Sequence, residues 1–185
     1  MRTFVALPVP AAAAAMIQPA TDALRTRWPE LRWTDPLGWH LTLAFLGEVD
    51  DHVATAVCTT VAAALADVSP LRLSLPAAAD TAPGTRGIVW LAVASPSLGD
   101  LAERVRDACD AAGAPPDRTR PFRGHLTLCR VPRRSTPDPA GLARTVAAAY
   151  EGPPLSWSAD RIEVLRSDRT ATGAQYTELA SIPLT

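Results

Sequence analysis

Two short words in this chain set proton-transfer groups beside hydroxyls: His40-Leu41-Thr42-Leu43 and His125-Leu126-Thr127-Leu128. The chain has three histidines, and two of them lie in these words. In a β-strand, residues i and i+2 share a face, so each word presents an imidazole next to a hydroxyl. The ordinary histidine pKa of about 6.5 lets one ring accept a proton while the other donates one. Each such transfer is typically worth about 10² to 10⁴ in rate. Thr42 and Thr127 can donate to oxygens on which charge builds, and they add no further titrating group. Two such pairs facing one another suit hydrolysis of a phosphodiester without a metal.

The elements that must hold these words can be read along the chain. Thr3–Leu7 reads as a strand, and Pro10 opens an Ala-rich helix to about Trp28. Leu31–Trp33 is a short extended piece, and Pro36 and Gly38 turn into the strand Trp39–Leu46. Asp50 or Asp51 caps a helix through Leu65. Leu71–Leu75 alternates as a half-buried strand does; Thr81–Gly87 reads as a loop, and Ile88–Ala94 as a buried strand. A helix from Pro96 or Ser97 ends at Gly113, with Leu98, Leu101, Val105, Ala108, Cys109 and Ala112 at helical spacing. After the loop Ala114–Pro121 comes the second motif strand, Gly124–Val131. A fourth helix opens at Pro137–Gly141 and runs to Tyr150. Strands at Ser158–Leu165 and Ala174–Ile182 close the chain about a turn at Thr172-Gly173.

The motif histidines are 85 residues apart, and the same shift carries each element of the first half onto its like in the second. Strand, helix, motif strand, helix and strand therefore occur twice. The expected fold is α+β: two pseudo-symmetric lobes, each an antiparallel sheet with helices packed outside, and an active-site cleft between them. Residues 1–185 are expected to form one bilobal domain.

Composition narrows the classes of function. Apolar residues make up 48% of the chain, and the net charge is −1, so there is no chain-wide basic field of the kind long nucleic-acid binders carry. All 18 basic residues are arginine. Arg118, Arg120, Arg123, Arg130, Arg133 and Arg134 crowd the second motif, where guanidinium groups could grip phosphate or line a solvated loop. Cys58, Cys109 and Cys129 are widely spaced without a C-x-x-C pair, which reads as buried thiols in a reducing cytoplasm. Pro8 and Pro10 interrupt the N-terminal apolar run, arguing against a signal peptide. No run is long enough for a membrane span. No H-x-x-x-H spacing suggests zinc, and His52 reads as a solvated residue at a helix start. Trp33, Trp39 and Trp90 read as core, with a place in the cleft wall the alternative for Trp39, which adjoins His40, and Tyr176 reads as packed in its strand.

The paired H-x-T words on paired lobes resemble the 2H phosphoesterase superfamily, and within it the RNA 2′,3′-cyclic phosphodiesterases, historically called 2′-5′ RNA ligases. Arg2–Leu7, Trp39–Val49, Arg120–Arg130 and Tyr176–Leu179 carry the resemblance over nearly the whole chain. It implies hydrolysis of an RNA 2′,3′-cyclic phosphate end to a 2′-phosphate, with weaker reversible 2′-5′ ligation and no metal or cofactor. It implies His40 as general acid and His125 as general base, with Thr42, Thr127 and Arg130 on the phosphate and Phe45 stacked on the base. The implied partners are RNA ends or nucleotides with a 2′,3′-cyclic phosphate, met by a cytoplasmic monomer away from membranes.

Phe45 and Arg130 raise a geometric problem. Each lies five residues after its histidine, which is the opposite face of a regular strand. To enter the cleft both need a bulge, a strand end or a long reach; otherwise Phe45 is a core aromatic. Two rival functions are a non-catalytic nucleotide-binding module and a phosphodiesterase for a small molecule such as ADP-ribose cyclic phosphate.

Overall fold

A computed structural model describes residues 1–75, 83–84, 87–132, 138–150, 155–170 and 173–185. Its elements are β1 (Arg2–Pro8), α1 (Ala11–Arg27), β2 (Arg32–Trp33), a 3-10 turn (Pro36–Gly38), β3 (His40–Glu48), α2 (Asp51–Ala64), β4 (Leu71–Leu75), β5 (Pro83–Gly84), β6 (Ile88–Ala92), α3 (Leu98–Ala111), β7 (His125–Arg130), α4 (Pro139–Ala149), β8 (Leu155–Ala159), β9 (Arg161–Thr170) and β10 (Gly173–Pro183). The fold is α+β, and every strand pairing is antiparallel. One four-stranded sheet has the order β10-β9-β1-β3 and carries the first motif; the other, β2-β7-β6-β5, carries the second. A two-stranded β4–β8 ribbon joins the latter through paired backbone bonds between Ser74 and Ala94.

The duplication is visible in register. Pro8, Leu7 and Ala6 pair with His40, Leu41 and Thr42; Ala92, Leu91 and Trp90 pair with His125, Leu126 and Thr127. The partner strands are thus offset by 84 residues while the motifs are offset by 85. The sheets are not, however, the contiguous halves of the chain. The 85-residue shift carries β5 onto residues of β9, yet β5 pairs with β6 while β9 pairs with β1. Each repeat sends its last strand into the other repeat's sheet, and the like strands β4 and β8 pair with one another.

Three sequence expectations change. The stretch Ser158–Leu165 is not one strand. It breaks at Asp160, whose carbonyl accepts from Leu184 N–H at 2.8 Å, and the chain passes there from the β4–β8 ribbon into the first motif's sheet. The apolar run Ile88–Ala94 is buried on one face only: Val89, Leu91 and Val93 point into the core, while Ile88, Trp90 and Ala92 are half-buried. Apolar content alone does not separate the two arrangements. Within the expected loop Thr81–Gly87, Pro83–Gly84 pair with β6, and residues 81–82 and 85–86 lie outside the described residues. Pro137 and Thr172 lie outside them too.

One large core runs through both sheets and includes fully buried Leu7, Leu41, Leu43, Leu91, Leu126 and Leu128. Full burial of a leucine side chain is worth about 1.5–3 kcal/mol, so Leu41 and Leu126 hold the motif strands in phase from behind. A small second cluster, Phe4, Ala6 and Leu165 with Tyr176, covers the opposite, motif-bearing face of the first sheet.

Candidate active site

The motif strands share a burial pattern. In β3, His40 and Thr42 are half-buried while Leu41, Leu43 and Ala44 are buried; in β7, His125 and Thr127 are half-buried while Leu126, Leu128 and Cys129 are buried. Two successive buried residues mark a bulge, and the register skips Leu43 in one strand and Leu128 in the other. Each bulge reverses the facing of the residues beyond it. Phe45 and Arg130 therefore return to the face of the histidine and threonine, both exposed. The residue after each bulge is small, alanine or cysteine, which is what a second inward position in a packed core accommodates. The extra carbonyls are satisfied: Arg106 Nε donates to Leu43 O at 3.2 Å and Thr34 N–H to Leu128 O at 2.8 Å.

The histidines are held alike. Nδ1 of His40 lies 2.7 Å from Gly38 O, and Nδ1 of His125 lies 2.8 Å from Arg123 O. A carbonyl can only accept, so the proton sits on Nδ1 and the neutral ring keeps Nε2 as an acceptor. The motif strands approach each other between the sheets, and the rings are close enough to interact electrostatically. Burial lowers the His40 pKa from its ordinary value; the Gly38 contact opposes this, and the charge of His125 adds to the lowering. Among the described residues, no hydrogen bond joins the Thr42 or Thr127 hydroxyl to the protein.

Three aromatic residues wall the site. The Phe4 and Tyr176 rings lie 4.9 and 5.2 Å from the His40 ring, the tyrosine edge-on at 90°. Trp90 lies 5.5 Å from the His125 ring. Sequence reading placed Trp90 in the core; its actual position comes from pairing directly opposite Thr127, which puts it on the motif face. Tyr176 does pack in its strand, and it also touches His40. Burial raises its phenol pKa, while the charges of Arg130 and Arg2 work the other way. Arg130, from the second motif, thus acts on a residue of the first motif's sheet. Phe4 had no sequence signal beyond its place in the opening strand.

The remaining candidates differ in how they stand to the site. Arg118 is engaged by Glu103 and Asp107 of α3. Arg123 contributes its carbonyl, and its side chain is exposed. Arg133 and Arg134 lie outside the described residues. His52 is exposed at the start of α2, and Trp39 is a core residue at 2% exposure. Phe45 is 44% exposed, and the Arg2 guanidinium lies over its ring at 4.8 Å from the centroid. Burial pushes the Cys109 and Cys129 thiols up to about 12, leaving them unreactive near neutral pH. Among the described residues, no three His, Cys, Asp or Glu side chains group as a metal site would require.

Comparison with known proteins shows the family and the fold. The model of the family described as the 2′-5′ RNA ligase superfamily matches residues 8–171. The chain is 29% identical over 186 residues to the RNA 2′,3′-cyclic phosphodiesterase of Geobacillus stearothermophilus, covering 98% of this chain and 56% of that protein. It therefore spans little more than half that relative's length. A solved phosphoesterase is similar at TM-score 0.76 and 26% identity, over 100% of this chain and 98% of its own. E. coli LigT complexed with 3′-AMP is similar at TM-score 0.74 and 25% identity, with the same coverage. The chain belongs to the 2′-5′ RNA ligase superfamily.

Proposed function

We propose that this protein hydrolyses RNA 2′,3′-cyclic phosphate ends to 2′-phosphates, with His40 and His125 dividing the proton transfers. The observation that carries the reading is the matched pair of histidines, each tied through Nδ1 to the carbonyl two residues back. That tie turns each ring into a one-nitrogen proton exchanger at Nε2.

In this mechanism water attacks phosphorus, and Nε2 of neutral His125 takes its proton. The bond from phosphorus to the 3′-oxygen breaks, Nε2–H of protonated His40 supplies the proton to that oxygen, and the 2′-phosphate remains. Thr42 and Thr127 donate to the non-bridging oxygens, and Arg130 neutralises their charge. Phe45 stacks on the terminal base. A 5′-hydroxyl in place of water gives a 2′-5′ linkage by the same course, and that step run backwards cleaves the linkage to the cyclic phosphate. No step draws on a metal or cofactor. Residues 1–185 act as one bilobal domain, as a monomer in the cytoplasm; no helix among the described residues is long and apolar enough to cross a membrane.

The test offers RNA ended by a cyclic phosphate, a 2′,3′-cyclic mononucleotide and ADP-ribose cyclic phosphate, each in excess chelator, and identifies the product isomer. The expected result is 2′-phosphate product from the RNA end at an undiminished rate. A 3′-phosphate product, or a requirement for divalent metal, would sink the proposal. Arg130→Ala should cut kcat/KM by about 10- to 150-fold, in keeping with loss of a charge-assisted contact worth about 1.5–3 kcal/mol. Unchanged kinetics would remove Arg130 from the phosphate.

A further inference from the structure

We propose that the open pocket beside Phe45 binds the internucleotide phosphate on the 5′ side of the terminal nucleotide, so that the preferred substrate is an RNA strand and not a mononucleotide. This rests on the function proposed above. The pocket has a volume of about 390 Å³ and is lined by Met1, Arg2, Glu48, Ser167, Asp168 and Arg169.

Register places it on the reactive face. Phe4 packs against the His40 ring, and Arg2 lies two residues from Phe4 on the same side of β1. Thr3 pairs with Arg166, which sets Arg2 in one row with Ser167, and Ser167 pairs with Tyr176, the other residue against His40. Arg169 shares the face of Ser167 by alternation. Arg2 also joins the pocket to Phe45 through the contact over its ring.

The charge suits one phosphodiester. Asp168 already accepts from Arg166 Nε at 2.8 Å, and the Glu48 carboxylate is paired with the Met1 ammonium at 3.6 Å. Glu48 stands opposite Arg2 in the register, but among the described residues neither Arg2 nor Arg169 forms an ion pair. Their guanidinium groups match phosphate oxygens, and the Ser167 hydroxyl can add a donor. Spacing gives the order of the groups bound. Thr42 stands opposite Ala6, four residues from Arg2, which is about 13 Å of strand, with Phe45 between them. A cyclic phosphate at the threonines, its base on Phe45 and the next phosphate at Arg2 and Arg169 match the sequence of groups in an RNA 3′ end.

The experiment compares a 2′,3′-cyclic mononucleotide with a dinucleotide ending in the same group. The wild type should favour the dinucleotide at least about tenfold in kcat/KM. Arg169→Gln, at an exposed position outside the catalytic groups, should remove most of that preference and leave mononucleotide turnover unchanged. Rising salt should erode the preference in the wild type but not in the variant, as loss of one single-strand phosphate contact implies. A neutral methylphosphonate linkage should abolish the preference in the wild type, separating the linkage charge from the second base. Equal use of mono- and dinucleotide, a preference that survives Arg169→Gln, or one that survives the neutral linkage would overturn the proposal. Turnover of neither substrate would overturn the function instead. Calorimetric binding of the corresponding 2′-phosphate products to wild type and Arg169→Gln then decides the pocket by the same comparison.

Discussion

Alanine at either His40 or His125 should lower hydrolysis of a cyclic phosphate at least about 10²-fold, the contribution expected of a positioned acid or base. The double substitution should cost little more than the worse single one, because two groups acting on one transition state are not additive. The pH–rate profile should be bell-shaped. Its limbs carry a sign set by the unliganded site. Burial and the charge of His125 disfavour a proton on His40, although the proposed mechanism requires one there. A bound phosphate anion acts in the opposite sense and raises the pKa. The alkaline limb, where His40 loses its proton, should therefore lie at higher pH in kcat than in kcat/KM, since these report the complex and the free enzyme respectively. A 3′-bridging sulfur leaves without a proton, so this substrate should rescue His40→Ala and not His125→Ala. Rescue of His125→Ala alone would exchange the two roles, and near-wild-type activity in either alanine variant would end the two-histidine mechanism.

Gly124→Ala should be the most damaging methyl group that can be added beside the site. A Cβ there would stand 2.5 Å from both Leu98 Cδ2 and the Val93 carbonyl oxygen. Leucine can turn aside, but the carbonyl belongs to backbone already bonded to this residue, Val93 N–H donating to Gly124 O at 3.0 Å. Strand β7 must shift where it leaves the loop, at the point where Arg123 O holds His125. Overpacking of this kind costs about 1–3 kcal/mol, and kcat should fall with stability because the imidazole moves with the strand. Gly99→Ala is the matching control: it lies in α3 with nothing within 4 Å, and it should be neutral or stabilising by about 0.5–1 kcal/mol. Urea unfolding and kcat measured together check both. A Gly124→Ala protein with the wild-type midpoint and turnover would show that the strand has slack.

The repeated words were enough to place His40, Thr42, His125 and Thr127 on two equivalent strands, because the period of a strand fixes which side chains share a face. The objection to Phe45 and Arg130 was also sound for a regular strand. Its answer lay one residue earlier, in Ala44 and Cys129, where a small apolar residue comes after a leucine and both turn inward. What stayed hidden was pairing between distant segments. Trp90 could not be told from a core tryptophan until Thr127 stood opposite it, and Tyr176 could not be set on His40 without the order β10-β9-β1-β3. The break at Asp160 has the same origin, since only the sheet on either side of it distinguishes one strand from two.

The exchange of closing strands has a consequence for synthesis. Thr3 pairs with Arg166, so β1 lacks its partner β9 until about 160 further residues have been made. At about 5–20 residues per second this leaves the opening strand waiting roughly ten seconds or more. Through that interval Phe4 and Ala6 have no Leu165 to cover them, and the first histidine stands on a sheet of two strands. The nascent protein therefore has no assembled site on the ribosome, and a chain truncated before β9 should be a client for chaperones and not a weaker enzyme.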